Sequence, residues 1–307
     1  MIVAFIDAYK LVFGVEPICR VLRDHNLPIA PSTYYAFKKR PPSARAVSDE
    51  RLVEVVKDVH RDNFGVYGAR KVRHALKRKG EDVGRDQVAR LMRLADVRGV
   101  CRRKHARPVS PALVEVRSPD LVQRRWFRDA PDLVWVCDFT YVRTREGWMY
   151  VSFLQDGFSR RILGFVVAAS KTVELVTRTV EQAASVRKRA NPTFAAEGVI
   201  VHSDAGSQYT SLAFTEKLLD LGFAGSVGSV GTAFDNALIE STIGLYKTEL
   251  VHRLATGWDG REELELATAR WVAWFNRDRL HAMLGYFTPI EIEAAYVHQQ
   301  GLPRQAA

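Results

Sequence analysis

The chain has 307 residues, 47% of them hydrophobic, and a net charge of +10, which allows a sizeable core and, by length, about two domains. No apolar run approaches the ~18 residues of a membrane span. Cys19, Cys101 and Cys137 are far apart with no CxxC pair, so neither a zinc knot nor a disulfide framework is indicated, and a reducing, cytoplasmic setting is the default. The charge is uneven: residues 1–128 carry a balance of +14 and residues 129–307 a balance of −4. The first part is therefore a polyanion-binding candidate.

In chain order, residues 1–37 read as helical. The opening MIVAFIDAYKLVFGVEP carries Asp7, Lys10 and Glu16 among apolar positions, as an amphipathic helix does and a signal peptide does not. Proline-bearing breaks follow at 28–31 and 41–42. Residues 51–62 put Leu52, Val55, Val56 and Val59 on one helical face. The stretch FGVYGARKVRHALKRKGEDVGRDQVARLMRLADVRG then reads as two helices, about 67–79 and 85–95, joined by a turn at Gly80 and Gly84. The second helix buries Val88, Leu91 and Met92 and shows Arg85, Gln87, Arg90 and Arg93, residue types that suit phosphate and base contacts. The basic run CRRKHARP (101–108) reads as a linker.

From Asp132 the period changes. LVWVCDFTYV (133–142), MYVSFLQD (149–156) and ILGFVVAAS (162–170) read as an antiparallel meander with tight turns. A helix over 173–188, a short buried strand GVIVHSD (198–204), a helix over 211–221 and a short strand FAGSVG (223–228) follow. GTAFDNALIESTIGLYKTEL (231–250) is a loop and a helix, and helices over 261–279 and 288–298 close the chain. This order describes a mixed sheet with helices packed on it.

Three acids stand out by position. Asp138 lies inside a strand, in phase with Val134 and Val136, where a carboxylate is costly unless paired or metal-bound. Asp204 sits where a buried strand ends, a usual place for functional groups in α/β sheets. Glu240 shares one helix face with Asn236 and Lys247, at i, i+4 and i+11. Gly244, one turn beyond Glu240, costs a helix about 1 kcal/mol relative to Ala and so suggests a close approach there. Asp156 reads as structural, Asp235 as a helix cap, His281 either as a functional residue or as a packing or hydrogen-bonding one, and Trp126, Trp271 and Trp274 as core or interdomain anchors.

These motifs, in this order and with these gaps, resemble the second-reading-frame product of IS-three (insertion sequence three) family transposases. WVCDFTYV resembles the strand of the first aspartate, HSDAGSQYTS the second-aspartate motif, and GTAFDNALIESTIGLYKTEL the Asn-x3-Glu-x6-Lys helix. FNRDRLHAMLGYFTPIEI (275–292) resembles the closing segment, and the basic two-helix stretch matches the auxiliary helix-turn-helix. Val201 departs from relatives that have a second histidine before His202.

The resemblance implies a ribonuclease-H-like mixed sheet flanked by helices, preceded by an all-α helix-turn-helix region. The expected division is 1–45 helical, 46–110 helix-turn-helix, 111–130 basic linker and 131–298 integrase-like catalytic core with C-terminal helices. It implies that Asp138, Asp204 and Glu240 hold two Mg²⁺ or Mn²⁺ ions for cleavage and strand transfer at phosphorus. Lys247 and Asn236 would meet DNA, and His202 and Ser203 would orient Asp204. Expected partners are double-stranded DNA (terminal inverted repeats and target), and the upstream-frame product or a second copy, in a nucleoid-associated bacterial protein with no membrane contact. The rival expectation is a DNA-binding accessory or regulatory subunit, active only when fused to an upstream helix-turn-helix and leucine-zipper segment. A related nuclease of the same fold would explain the acids but not the closing segment.

Overall fold

The computed structural model describes residues 2–101, 119–122, 128–228, 236–254 and 256–300. The basic run after Cys101, most of the expected linker, Trp126 and Asp235 lie outside the described residues. The chain divides into two compact units, 1–54 and 55–307.

In the first unit α1 (Ile2–Phe13), α2 (Val15–Asp24) and α3 (Pro31–Lys39) pack around Ile6, Ile18, Cys19 and Tyr34. Pro31 lies in the first turn of α3, where its missing N–H costs no helical bond. Asp7 on α1 ties down α3: it accepts from the Tyr34 hydroxyl at 2.9 Å and the Lys38 ammonium at 3.0 Å.

Helix α4 (Ala44–Asp62) is longer than its apolar face indicates. Its first residues, ARAVSDE, have little apolar periodicity but contain no helix breaker, so the helix extends back through them. Next come α5 (Ala69–Arg78) and α6 (Arg85–Leu94), close to the expected bounds. Both are strongly amphipathic and bury Val72, Leu76, Val88, Leu91 and Met92.

The sheet has five strands in the order β3-β2-β1-β4-β5. Strands β1 (Val134–Thr144), β2 (Gly147–Asp156) and β3 (Ile162–Ala168) form the antiparallel meander. Strands β4 (Ile200–Ser203) and β5 (Ala224–Val227) add in parallel. On one face Trp135, Cys137, Leu154, Leu163 and Val201 meet α7 (Val173–Ala190) and α8 (Leu212–Asp220) in the main core. The other face receives α9 (Ala237–Glu249) and α10 (Arg261–Arg277). There Phe153 meets Tyr246 at 5.0 Å, Tyr246 meets Trp271 at 5.3 Å, and Trp271 meets Phe275 at 4.9 Å.

A buried ionic cluster fixes α11 (Pro289–Gln299) against the sheet. Arg187 on α7 grips Glu293 on α11 through two bonds of 2.7 and 3.0 Å, and its Nε donates to Asp132 at 2.7 Å. Arg161 adds a third bond to Glu293 at 2.7 Å. Burial opposes ionisation of Glu293, but Arg187 and Arg161 outweigh it and hold the carboxyl below its usual range. Asp156 accepts from the backbone N–H of Asp132 at 2.9 Å and of Ser159 at 2.7 Å, consistent with the structural reading of that acid.

The helix-turn-helix helices are bolted to the same unit's C-terminal segment. Trp274 Nε1 donates to Asn63 at 3.2 Å, the Tyr67 hydroxyl accepts from Leu280 N–H at 2.7 Å, and Arg78 forks onto Glu291 at 2.9 and 3.0 Å. Trp271 and Trp274 are both buried, as anchors should be.

One close approach sets the sheet-to-helix spacing. A side chain on Gly164 of β3 would run into the Thr179 carbonyl of α7. Gly164→Val is therefore expected to destabilise the fold by about 2–3 kcal/mol, through overpacking against backbone that cannot yield. Denaturant unfolding measures this; a change within ±0.5 kcal/mol would show that α7 can move away.

Candidate active site

The site begins with strand register. β1 and β4 run side by side with Val134 opposite Ile200 and Val136 opposite His202. That offset is 66 residues, which is also the separation of Asp138 and Asp204. Extending the register two residues past the last pair brings the two acids level, Asp204 just past the end of β4 and Asp138 within β1, which runs on to Thr144. Period-two alternation puts Asp138 on the face of Val136, and Asp204 on the face of His202, which is the side α9 covers.

The two carboxylates act on shared neighbours. Burial raises the Cys137 thiol and the Tyr209 phenol well above their ordinary values, and the charges of both Asp138 and Asp204 push each further. Burial also raises the carboxyl of Asp204 itself, opposed by the N–H of Gly206 and by His202. Asp204 is nonetheless exposed at the surface, so protein packs closely around its inner side only. Its Oδ1 accepts from Gly206 N–H at 3.0 Å, and a Cβ on Gly206 would stand 3.0 Å from that same oxygen. Asp138 Oδ1 accepts from Phe139 N–H at 2.7 Å.

Helix α9 is hung from β1. Asn236 reads in the sequence as part of the helix, but it occupies the N-cap position with no side-chain capping bond. Its amide instead reaches across the sheet and donates to the Cys137 carbonyl at 3.2 Å, beside Asp138. Glu240 N–H in turn donates to the Asn236 carbonyl at 3.1 Å, so Glu240 stands one turn above that anchor. The Asn236 Oδ1 is buried without a hydrogen-bond partner. His202 is buried; its Nδ1 lies 2.8 Å from Ser226 Oγ on β5, which also accepts from Leu121 N–H at 2.9 Å. His202 and the buried Ser203 thus belong to the packing that holds the end of β4.

Among the described residues, no three His, Cys, Asp or Glu side chains converge closely enough to hold a metal ion. Drawing three carboxylates into one ligand sphere sets like charges together, and a bound cation offsets that repulsion. The donor types and the shared face of the two aspartates fit hard divalent ions.

Comparison with known proteins identifies the chain. Two integrase core domain families match residues 128–233 and 221–289, and an HTH-like domain family matches residues 48–105. The chain is 46% identical over 277 residues to a Mycobacterium tuberculosis protein named for transposition of insertion sequence element IS986/IS6110, covering 90% of this chain and 99% of that one. It is 40% identical over 296 residues to the transposase for IS629 of Shigella sonnei, covering 95% of each. The chain belongs to the IS-three-like family of insertion-sequence transposases. Among solved structures, the HTLV-2 integrase catalytic core domain in complex with magnesium aligns with a TM-score of 0.41 at 18% identity, over 54% of this chain and 98% of that one.

The transposase carries a further group of cations and rings where the outer part of β1 meets α9. Lys247 Nζ lies over the Tyr141 ring at 4.7 Å, Tyr141 meets Trp148 edge-on at 5.3 Å, and Arg143 lies over Trp148 at 5.3 Å. Tyr141 and Trp148 are about half exposed. The sequence motif singles out Lys247 but not this platform. Its signal was present, since Tyr141 and Arg143 alternate on the outer part of β1 and Trp148 pairs with Arg143 across the hairpin. On α6, Arg85 and Arg93 are exposed as expected, whereas Gln87 and Arg90 are half-buried. Gly244 is half-buried, and its carbonyl accepts from Thr248 Oγ1 at 2.7 Å.

His281 is a hydrogen-bonding residue of the interior. Its Nε2 lies 3.2 Å from the Phe275 carbonyl, which can only accept, so Nδ1 is the acceptor for Arg279 Nη1 at 3.2 Å. Burial, reinforced by Arg279, pushes its pKa well below the ordinary value.

Asn236→Ala tests the anchor. It removes the bond to Cys137 and also the unpartnered Oδ1, so the expected stability loss is only about 1 kcal/mol. Hydrogen exchange at the first turn of α9 should rise while the sheet stays protected. Unchanged exchange there would show that the helix start is held by other contacts.

Proposed function

We propose that Asp138, Asp204 and Glu240 are the catalytic triad of this transposase and bind two Mg²⁺ or Mn²⁺ ions. The observation that carries the reading is the 66-residue register of β1 and β4, which supports a shared role for the two aspartates beneath α9. When bound, the ions would activate a water or a DNA 3′-hydroxyl and stabilise the oxygen that leaves phosphorus. The protein's part is positioning. Asn236 fixes the turn that carries Glu240 next to β1, and His202 and Ser203 brace the strand end that carries Asp204.

DNA would cross this surface along Lys247 and the Tyr141–Trp148 platform. A cation supplies phosphate contact there, and exposed rings supply base stacking. Gly244 would leave room for the backbone to pass. Residues 46–110 would contribute end recognition through Arg85, Gln87, Arg90 and Arg93. The partners are terminal inverted repeats and target DNA, together with the upstream-frame product or a second copy, in a nucleoid-associated bacterial protein.

Substituting Asp138→Asn, Asp204→Asn or Glu240→Gln is expected to abolish Mg²⁺-dependent cleavage and strand transfer on terminal-repeat DNA while DNA binding persists. Near-normal strand transfer in any one of the three sinks the triad. Lys247→Ala is expected to weaken DNA binding about evenly across sequences and to lower the salt slope by about one. A sequence-selective loss would place Lys247 against a base instead.

A second reading follows from the resemblance to a second-reading-frame product. The chain would reach its active geometry only when joined to an upstream segment or to DNA. Strand-transfer assays with and without the upstream-frame product separate that case from an autonomous enzyme.

A further inference from the structure

Gln155 is fully buried on β2, where it lies opposite Val136 of β1. Cross-strand partners share a face, so its side chain points to the side that α9 covers. An amide buried there is costly unless its polar ends are bonded. Both ends are. Nε2 donates to the Arg160 carbonyl at 2.6 Å, in the turn between β2 and β3, and Oε1 accepts from the Thr242 hydroxyl on α9 at 2.8 Å. A carbonyl can only accept, which fixes the orientation of the amide and leaves Oε1 for the hydroxyl.

Thr242 departs from two other buried helical threonines. Thr179 donates to the Leu175 carbonyl at 2.8 Å and Thr268 to the Leu264 carbonyl at 2.7 Å, each four residues back in its own helix. Thr242 is also deeply buried, yet its hydroxyl bonds to the sheet. The carbonyl four residues before it, that of Leu238, accepts instead from Ser241 Oγ at 2.7 Å. The Thr242 bond therefore joins α9 to β2 rather than closing on α9 itself. That flank of the helix is not closely packed: Ser241, Thr242, Leu245 and Glu249 line a cavity of about 690 Å³ behind α9, with Gln155 at its wall. A directional bond holds the helix where apolar packing is open.

Glu240 and Thr242 are two residues apart, which at about 100° per residue places them on opposite flanks of α9. On the flank of Glu240, Asn236 ties the helix to the Cys137 carbonyl of β1 at 3.2 Å. On the other flank Thr242 ties it to β2. Two tethers on opposite flanks fix the roll of the helix about its axis at the turn that carries Glu240. We propose that Gln155 is a positioning residue for Glu240: through Thr242 it sets the roll of α9, and with it the reach of the Glu240 carboxylate toward Asp138 and Asp204. Gln155 acts through the helix and touches no reacting group. The inference rests on the proposed triad, since it concerns where the third carboxylate stands.

The test is Mn²⁺ titration of the full chain on terminal-repeat DNA, read by the paramagnetic resonance of free Mn²⁺, together with the strand-transfer rate at saturating DNA and the melting temperature. Thr242→Val removes the hydroxyl with little change of shape. It is expected to weaken Mn²⁺ binding and slow strand transfer about tenfold each, as loss of support for a metal ligand does, with DNA affinity unchanged. Gln155→Met should do the same, and it replaces Thr242→Val if that variant does not fold. Thr242→Ser keeps the donor and should keep both values near those of the unaltered chain. Thr179→Val removes a buried hydroxyl from α7 and should lower the melting temperature without weakening Mn²⁺ binding, which separates positioning from a general loss of stability. The proposal is overturned if Thr242→Val and Gln155→Met bind Mn²⁺ and join strands normally while Glu240→Gln loses both. It is also overturned if Thr242→Ser loses as much as Thr242→Val, or if Thr179→Val weakens Mn²⁺ binding equally. Normal Mn²⁺ binding and strand transfer in Glu240→Gln itself would remove the triad, and this inference with it.

Discussion

β1 and β4 pair in parallel with a constant offset of 66 residues, and β1 continues well past the end of its partner. Much of the site follows from those two facts. The offset sets Asp138 and Asp204 level. The unequal lengths leave the β1 edge unpaired by β4 beyond Cys137. Into that gap comes the amide of Asn236, which takes the Cys137 carbonyl that no β4 N–H reaches. The start of α9, and with it the height of Glu240, is thus set by where β4 stops. A one-residue slip of β4 would turn Asp204 to the opposite face of the sheet, beside the main core, where a carboxylate has no solvent and no partner.

The helices that hold this arrangement are oriented by buried charges more than by apolar area. Arg187, Glu293, Asp132 and Arg161 form a network that only one docking of α11 satisfies. Such networks give little net stability after desolvation, but an unsatisfied one is expensive, so they select among packings that apolar contact alone would leave similar. The same holds for the helix-turn-helix helices. Tyr67, Arg78 and Asn63 each meet a specific polar group near the C-terminal segment.

Local pattern made most elements legible in the sequence. The period-two runs marked β1 to β3, and the apolar faces marked α5 to α8, nearly to the residue. The phase of Asp138 within its strand and the position of Asp204 at a strand end were equally visible, because both are properties of a single element. What stayed hidden depends on pairing between distant segments. Asn236 looks helical until the Cys137 carbonyl, 99 residues earlier, draws its side chain away. Arg187 and Glu293 are 106 residues apart, and neither alone announces a buried partner. The extension of α4 lacked an apolar face to reveal it. The cavity behind α9 draws its lining from α5, α6, the β2–β3 turn, α9 and the C-terminal segment, so no window of sequence contains it.

Helix α9 is where these levels meet. Glu240 and Lys247 lie on one stripe of it, while Ser241, Leu245 and Glu249, spaced at i, i+4 and i+8, line the cavity on another. The two stripes are adjacent, and a helix of 13 residues rotates as a body. A small rotation about its axis would move both stripes together. The anchor at Asn236 and the packing of Tyr246 between Phe153 and Trp271 resist that rotation from the sheet side. The Glu249–Arg279 pair resists it from the cavity side. The chemistry proposed for Glu240 and the Glu249–Arg279 pair behind α9 are therefore joined through one helix.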